Sequence, residues 1–207
     1  MFVRVITPPD PIVTPADIVG DHAPDDSAVA AMIQAVTEEI DGPGGWLGRS
    51  LGPQTLEWSG ACWPSNWLRL PYGPVADIDG VSYLDANGEE QEVDGGDWSY
   101  EGGLLIFREG WSAPSLFRHP AAVKITYQAG YDGEDITSDG TGPVPERARQ
   151  AIILSVQHML SLGAENLFRR AEEVEGIGRD EFTLSDVASK IVSQACDRLL
   201  STLRVYA

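Results

Sequence analysis

The stretch that decides the fold is "GPGGWLGRSLGPQTLEW", residues 42–58. Before it, "SAVAAMIQAVTEEI" at residues 27–40 places apolar residues at helical spacing. After it, short segments rich in β-branched and aromatic residues begin with "QTLEW". The glycines and proline at positions 42–45 are typical of a helix end. The stretch therefore predicts a joint between a helical part and a sheet.

Three residues are predicted to build this joint. Trp46 and Leu47 would anchor it against the helical part, and Arg49 would help to turn the chain. If the ring of Trp46 is buried, Trp46→Ala should cost about 3–5 kcal/mol.

The same stretch contains "GRSLG", residues 48–52, which fits the G-x-S-x-G pattern of a nucleophile elbow. That elbow needs a strand before the serine and a helix after it, and the order here is the reverse. The histidines that a triad would need lie in two proline-flanked loops and in an apolar helix, at His22, His119 and His158. We therefore expect no enzyme and no cofactor; a hydrolase using Ser50 or an acidic pair is the alternative, which a fluorophosphonate would detect.

The rest of the pattern predicts an α+β fold, a helical base with an inserted antiparallel β module. Helices are predicted over residues 145–162 and from Thr183 to about residue 203, and Asn87-Gly88 predicts a hairpin turn. The N-terminus is predicted to be an extended arm, with a short helix capped by Thr14. The predicted divisions are a base of residues 1–50 and 144–207, a β module of residues 51–131, and an acidic loop of residues 132–143.

Composition narrows the function. The chain has 207 residues with 32 acidic and 14 basic side chains, a formal charge of -18, so it is a poor candidate for gripping nucleic acid. Its two cysteines lack metal-site spacing and suggest a reducing compartment. Its apolar runs are shorter than the roughly 20 residues of a membrane helix. We expect a soluble protein, cytoplasmic at synthesis, with no membrane partner.

Two groups of residues leave alternatives open. The acidic loop could hold calcium, but it lacks EF-hand spacing, which favours a solvated loop and no metal site. The tryptophans of the β module could stack on sugars, making it a binding module for polysaccharide or another surface ligand, or they could fill the core. The loop residues are Asp132, Glu134, Asp135 and Asp139, and the tryptophans are Trp58, Trp63, Trp67, Trp98 and Trp111.

The order of the segments resembles the head–tail connector (adaptor) proteins of long-tailed bacteriophages and gene-transfer agents. The matching segments are "VITPPDPIVTPAD", "DDSAVAAMIQAVTEEI", "GWLGRSLGPQTLEW", "LRLPYGPVADIDGVSYLDANGEEQEV", "AVKITYQAGY", "VPERARQAIILSVQHML" and "LLSTLRVY". Residues 164–182, a charged segment expected to be a long loop, match no pattern of that family.

The resemblance implies a structural role. Such proteins form a ring, usually dodecameric, beneath the portal protein, extend the DNA channel and dock stopper or tail-completion proteins. They belong to the virion at the head–tail interface and are assembled in the host cytoplasm. The acidic surface would then let DNA pass without adhering; a solvated surface that keeps the protein soluble is the alternative. The residues expected to contact the portal are Asp197, Arg198, Leu200, Arg204, Val205 and Tyr206.

Overall fold

The computed structural model describes residues 2–138, 140–161, 172–174, 178–180 and 186–205. The chain forms two compact units. A sheet unit comprises Met1–Asp10, Ile40–Val144 and Val205–Ala207, and a helical unit comprises Pro11–Glu39 and Pro145–Arg204. The α+β class, with antiparallel sheets, is confirmed.

The larger sheet of the sheet unit has five antiparallel strands: β1 (Phe2–Thr7), β2 (Gln54–Gly60), β4 (Val75–Leu84), β5 (Glu90–Glu92) and β8 (Val123–Ala129). Their order across the sheet is β1-β2-β8-β4-β5. The predicted hairpin at Asn87-Gly88 is confirmed, because β4 and β5 pair across it and Gly88 has a φ of 84°. Among the described strands β1 and β5 are the two edges of this sheet.

A smaller sheet of three strands has the order β3-β7-β6. Its strands are β3 (Trp67–Arg69), β6 (Trp98–Glu101) and β7 (Leu104–Phe107). Strand β6 was not predicted from the sequence. Gly102 and Gly103, both with positive φ, form the two-residue turn of the hairpin between β6 and β7. One buried cluster joins the two sheets, with Leu56, Trp58, Ile125 and Tyr127 from the larger and Leu105 and Phe107 from the smaller.

The helical unit contains α1 (Ser27–Ile40, whose last residue belongs to the sheet unit), α2 (Glu146–Ser161) and α3 (Asp186–Ser201). The predicted apolar stripe of α1 is buried at Val29, Ile33, Val36 and Ile40. Helices α2 and α3 pack together, and the Cys196 thiol of α3 lies 3.6 Å from the carbonyl oxygen of Ala151. The predicted cap of α3, Thr183, lies outside the described residues.

The short N-terminal helix Pro15–Asp17 begins as predicted. The Asp17 carboxylate accepts hydrogen bonds from the backbone N–H and hydroxyl of Thr14, at 2.8 and 2.9 Å. These bonds, the backbone one first, hold the pKa of Asp17 below its ordinary value. Asp17 also lies 3.4 Å from Arg149 of α2, so the start of the chain is tied to a C-terminal helix.

Three segments differ from the sequence-based expectation. Residues 2–7 are strand β1, paired with β2, and not an unpaired arm of the helical base. The β-branched and aromatic residues of "FVRVIT" favour a strand, and β2 supplies the partner. The segment 164–182 contains two strands that pair antiparallel, β9 (Glu172–Val174) and β10 (Gly178–Asp180), where we expected a long loop. Residues 40–50 also lie with the sheets, so the unit boundaries differ from the predicted ones.

Candidate functional site

The C-terminal tail of the sheet unit contacts the joint segment, defined as residues 41–51. The backbone N–H of Val205 donates to the carbonyl oxygen of Leu47 at 2.9 Å. Gly48 has a φ of 68°, and a Cβ there would lie 2.6 Å from the carbonyl oxygen of Val205. Only glycine fits this position without strain, because both the backbone conformation and the neighbouring carbonyl exclude a side chain. Two groups of residues that the sequence named separately thus meet here.

The buried carboxylate of Asp41 holds the two ends of the joint segment together through hydrogen bonds. Asp41 Oδ1 accepts from the backbone N–H of Leu51 at 2.6 Å and from the amide of Gln54 at 3.2 Å. The N–H of Gly42 donates to the carbonyl oxygen of Arg49 at 3.0 Å, which ties the two ends of the loop together. Burial raises the pKa of the Asp41 carboxyl, although the hydrogen bonds that it accepts act in the other direction.

Arg49 and Ser50 are both inside the joint segment. Arg49 Nη1 donates to the hydroxyl of Tyr131 at 2.7 Å, while its shielded Nε has no hydrogen-bond partner among the described residues. A buried donor left unpaired costs about 1–3 kcal/mol. Ser50 has no exposed surface, and its hydroxyl likewise lacks a partner among the described residues. A short 3-10 turn, Gly42–Gly44, precedes Ser50 and strand β2 follows it, so a nucleophile elbow is not formed there.

The two apolar residues of the joint segment differ in burial. Leu47 is completely buried, whereas Trp46 is only half-buried. The predicted cost of Trp46→Ala required a buried ring, and this requirement is not met. The larger loss of stability is therefore expected from truncating Leu47. The sequence pattern could not separate the two because both are large, apolar and adjacent.

Beside the tail lies a groove of about 620 Å³, which we call the arginine groove. Its walls come from β1, the joint segment, the turn before β4 and the β6–β7 hairpin. Arg49 and Arg69 are the basic residues in its lining, and Tyr72, which also lines it, has a φ of 59°. A positive φ in a tyrosine costs of the order of 1–3 kcal/mol and is often found at functional sites. The other lining residues used below are Phe2, Val3 and Val205.

The residues expected to contact a portal differ in how far they are exposed to solvent. Asp197, Arg198 and Arg204 are exposed, and Val205 exposes 46% of its surface. Leu200 is buried, with 3% exposed, so it supports the helix from inside. Tyr206 lies outside the described residues.

The acidic loop uses its carboxylates to hold its own backbone. Asp132 Oδ1 accepts from the N–H groups of Glu134 and Thr141, and Asp135 Oδ1 accepts from that of Thr137. Among the described residues no group of three or more potential ligands is placed to hold a metal ion. Asp139 lies outside the described residues. Burial opposes ionisation of Asp132, but the hydrogen bonds that it accepts lower its pKa overall.

Most tryptophans of the sheet unit are used in packing. Trp58 is in the buried cluster, and Trp63, Trp98 and Trp111 pack against it. Trp63 lies edge-on to Trp111 with ring centroids 4.9 Å apart. Trp67 is the exception, with 59% exposed. This arrangement favours the core-filling interpretation over a platform of rings for sugars.

Helices long and apolar enough to cross a membrane are absent from the described part of the chain.

Comparison with known proteins gives likeness of fold. No family model matches the chain, and no curated protein matches it. Among solved structures, it is similar to a chain in the neck of a native gene transfer agent (GTA) particle, computed with C12 symmetry. The TM-score is 0.61 at 18% identity, covering 100% of this chain and 97% of the other. A chain in the neck of an empty GTA particle computed with C6 symmetry gives 0.61 at 17% identity, with the same coverage. A chain of the native GTA virion gives 0.60 at 16% identity, also with that coverage. The whole chain therefore shares the fold of these neck and virion chains.

Proposed function

We propose that this protein is a non-enzymatic structural subunit of the neck of a phage-like particle. More particularly, it is a head–tail adaptor that forms a ring beneath the portal, extends the DNA channel and docks the stopper or tail. The observation that carries this proposal is the likeness of fold to GTA neck chains over 100% of this chain and 97% of theirs. The C12 symmetry of that neck supports a dodecameric ring.

The portal contact is assigned to the exposed residues at the end of α3 and in the tail. Asp197, Arg198, Arg204 and Val205 lie on the surface, and Tyr206 follows them in sequence. Leu200 acts from inside the helical unit as support. The joint segment holds the base of this tail through Leu47 and Gly48.

The acidic charge is assigned to the wall of the DNA channel. The backbone N–H of Thr137 holds the pKa of Asp135 below its ordinary value, so this carboxyl is ionised at neutral pH. Carboxylates repel DNA phosphates and keep the passing duplex from adhering. Reversing Asp132, Glu134 and Asp135 to lysine should slow packaging or ejection of DNA; unchanged rates would remove this assignment.

The experiment that tests the proposed function is electron microscopy of the protein mixed with the portal protein of its own particle. We expect added ring density on the tail-facing side of the portal. The triple variant D197A/R198A/R204A should lower ring occupancy, while R118A, an exposed arginine elsewhere, should not. Portals without added density would contradict the proposal.

A further inference from the structure

The arginine groove concentrates positive charge on a chain in which positive charge is scarce. The chain has 14 basic against 32 acidic residues, and two of those basic residues line this one groove. Its volume of about 620 Å³ falls within the roughly 300–1,000 Å³ of ligand pockets. Apolar side chains, including Phe2 and Val3, form much of the remaining wall. The groove thus suits a segment that carries carboxylates.

The two arginines are not neutralised within the described chain. Neither Arg49 nor Arg69 is in an ion pair with a described carboxylate. Arg49 keeps a buried Nε–H without an acceptor, whereas Arg69 is exposed on β3. The exposed guanidinium of Arg69 can bind a carboxylate strongly, because the hydrogen bonds are charge-assisted, and the positive charge of Arg49 beside it adds to the attraction.

The opposite edge of the five-stranded sheet carries the complementary charge. The tip of the β4–β5 hairpin, residues 86–92, is exposed throughout and contains Glu89, Glu90 and Glu92. Lys124 and Ser82 already hold Glu90, at 2.7 and 3.2 Å. Glu89 and Glu92 are therefore the carboxylates available to another molecule.

We propose that the hairpin tip of one copy docks into the arginine groove of the next copy, with Glu89 and Glu92 facing Arg49 and Arg69. The groove borders β1 and the hairpin ends in β5, and these are opposite edges of the same sheet. Two different patches on opposite edges give a head-to-tail contact, which closes into a ring when the rotation fits. The occupant is a second copy because the chain itself supplies the matching charge. The inference rests on the proposed function in that the copies form a ring.

Charge exchange tests this contact. The groove variant Arg69→Glu and the hairpin variant E89K/E92K alter exposed residues, so neither should disturb the fold. Each alone would place like charges opposite each other and lower copy-to-copy association at least about tenfold. Mixed in equal amounts, the two variants should recover part of the association. One contact of each alternating pair is then wild type, and in the other the introduced lysines face the introduced glutamate as well as the arginine that remains at position 49. Matched controls are R108E and E109K, which reverse exposed charges outside the groove and the hairpin tip.

Association is measured by analytical ultracentrifugation of the protein alone and by ring occupancy on portals. Loss in each variant with recovery in the mixture supports the contact. Rings on portals that form equally well with both variants overturn it while leaving the proposed function intact. Charge-dependent association of copies that never bind a portal supports the contact and contradicts the proposed function. Absence of association between wild-type copies in both assays overturns it as well.

Discussion

The joint segment and the β4–β5 hairpin both turn the chain on a glycine with positive φ, but their surroundings differ. Gly48 and Gly88 have φ values of 68° and 84°. A Cβ on Gly48 would lie 2.6 Å from a backbone carbonyl oxygen, while one on Gly88 would lie 3.6 Å from the Phe117 ring. The same local signal therefore lies too close to a backbone carbonyl for any side chain in one turn, and in ordinary contact with an aromatic ring in the other.

The largest effect is expected from emptying the buried side of the joint segment. Leu47→Ala should lower the free energy of unfolding by about 2–5 kcal/mol, because a fully buried leucine leaves a cavity. Urea denaturation followed by tryptophan fluorescence measures this. Trp46→Ala should cost less than about 3 kcal/mol, because its ring is half-buried. The exposed hairpin control Asn87→Ala should stay within about 0.5 kcal/mol of wild type. Equal losses in Leu47→Ala and Asn87→Ala would contradict the comparison.

The next largest effect is expected from replacing each of the two glycines with alanine. Both Gly48→Ala and Gly88→Ala carry the backbone cost of about 1–2 kcal/mol for a left-handed residue. Gly48→Ala should cost more, because its methyl group must also displace Val205. Thermal unfolding measures the difference, and amide exchange at Val205 should rise in Gly48→Ala alone. Identical stabilities would mean that the tail does not press on the joint segment.

A smaller effect is expected in the pH dependence of stability, which should differ between the buried carboxyl of Asp41 and exposed carboxyl groups. Burial raises the pKa of Asp41 in the folded protein above its unfolded value, so the folded state binds more protons between those two pKa values. The contribution of Asp41 to stability is thus fully present below the unfolded pKa and is lost as pH rises through the folded pKa. Relative to Asp41→Asn, wild type should lose stability as pH rises from about 4. A flat difference between pH 3 and 7, measured by chemical denaturation, would contradict this assignment; Glu92→Gln, at an exposed position, serves as control.

The smallest effect is expected at Ser50. Its buried hydroxyl has no hydrogen-bond partner among the described residues, so Ser50→Ala should leave stability unchanged or raise it by up to about 1 kcal/mol. Ring assembly on portals should not change. Labelling of wild type by a fluorophosphonate at Ser50 would instead favour a hydrolase.

The sequence predicted what depends on neighbouring residues. The α+β class, the Thr14–Asp17 cap and the Asn87-Gly88 hairpin are confirmed, because each is encoded within a few positions. The joint between a helical part and a sheet was predicted from glycines that end a helix and from the strand that follows them. The sequence also argued against a catalytic serine at position 50, because the secondary-structure elements around Ser50 stand in the reverse order to those of a nucleophile elbow.

What the sequence did not predict depends on distant partners. Strand β1 forms because β2 pairs with it, with Val3 opposite Trp58, and β1 was therefore missed. The contact of Val205 with Leu47 joins segments that are far apart in sequence. The arginine groove needs β3 placed beside the joint segment before Arg69 and Arg49 line one surface. Such placements follow from packing of elements, which local patterns do not specify.

The path of the chain through its two units has a practical consequence for work with fragments. The chain passes from one unit to the other after residues 10, 39, 144 and 204. A single proteolytic cut or truncation therefore cannot release either unit whole. A fragment ending at Val144 would keep both sheets of the sheet unit but lose Val205, whose N–H is bonded to Leu47, together with both C-terminal helices. A truncation at residue 144 will thus measure damage to both units at once, and point substitutions are the cleaner tool.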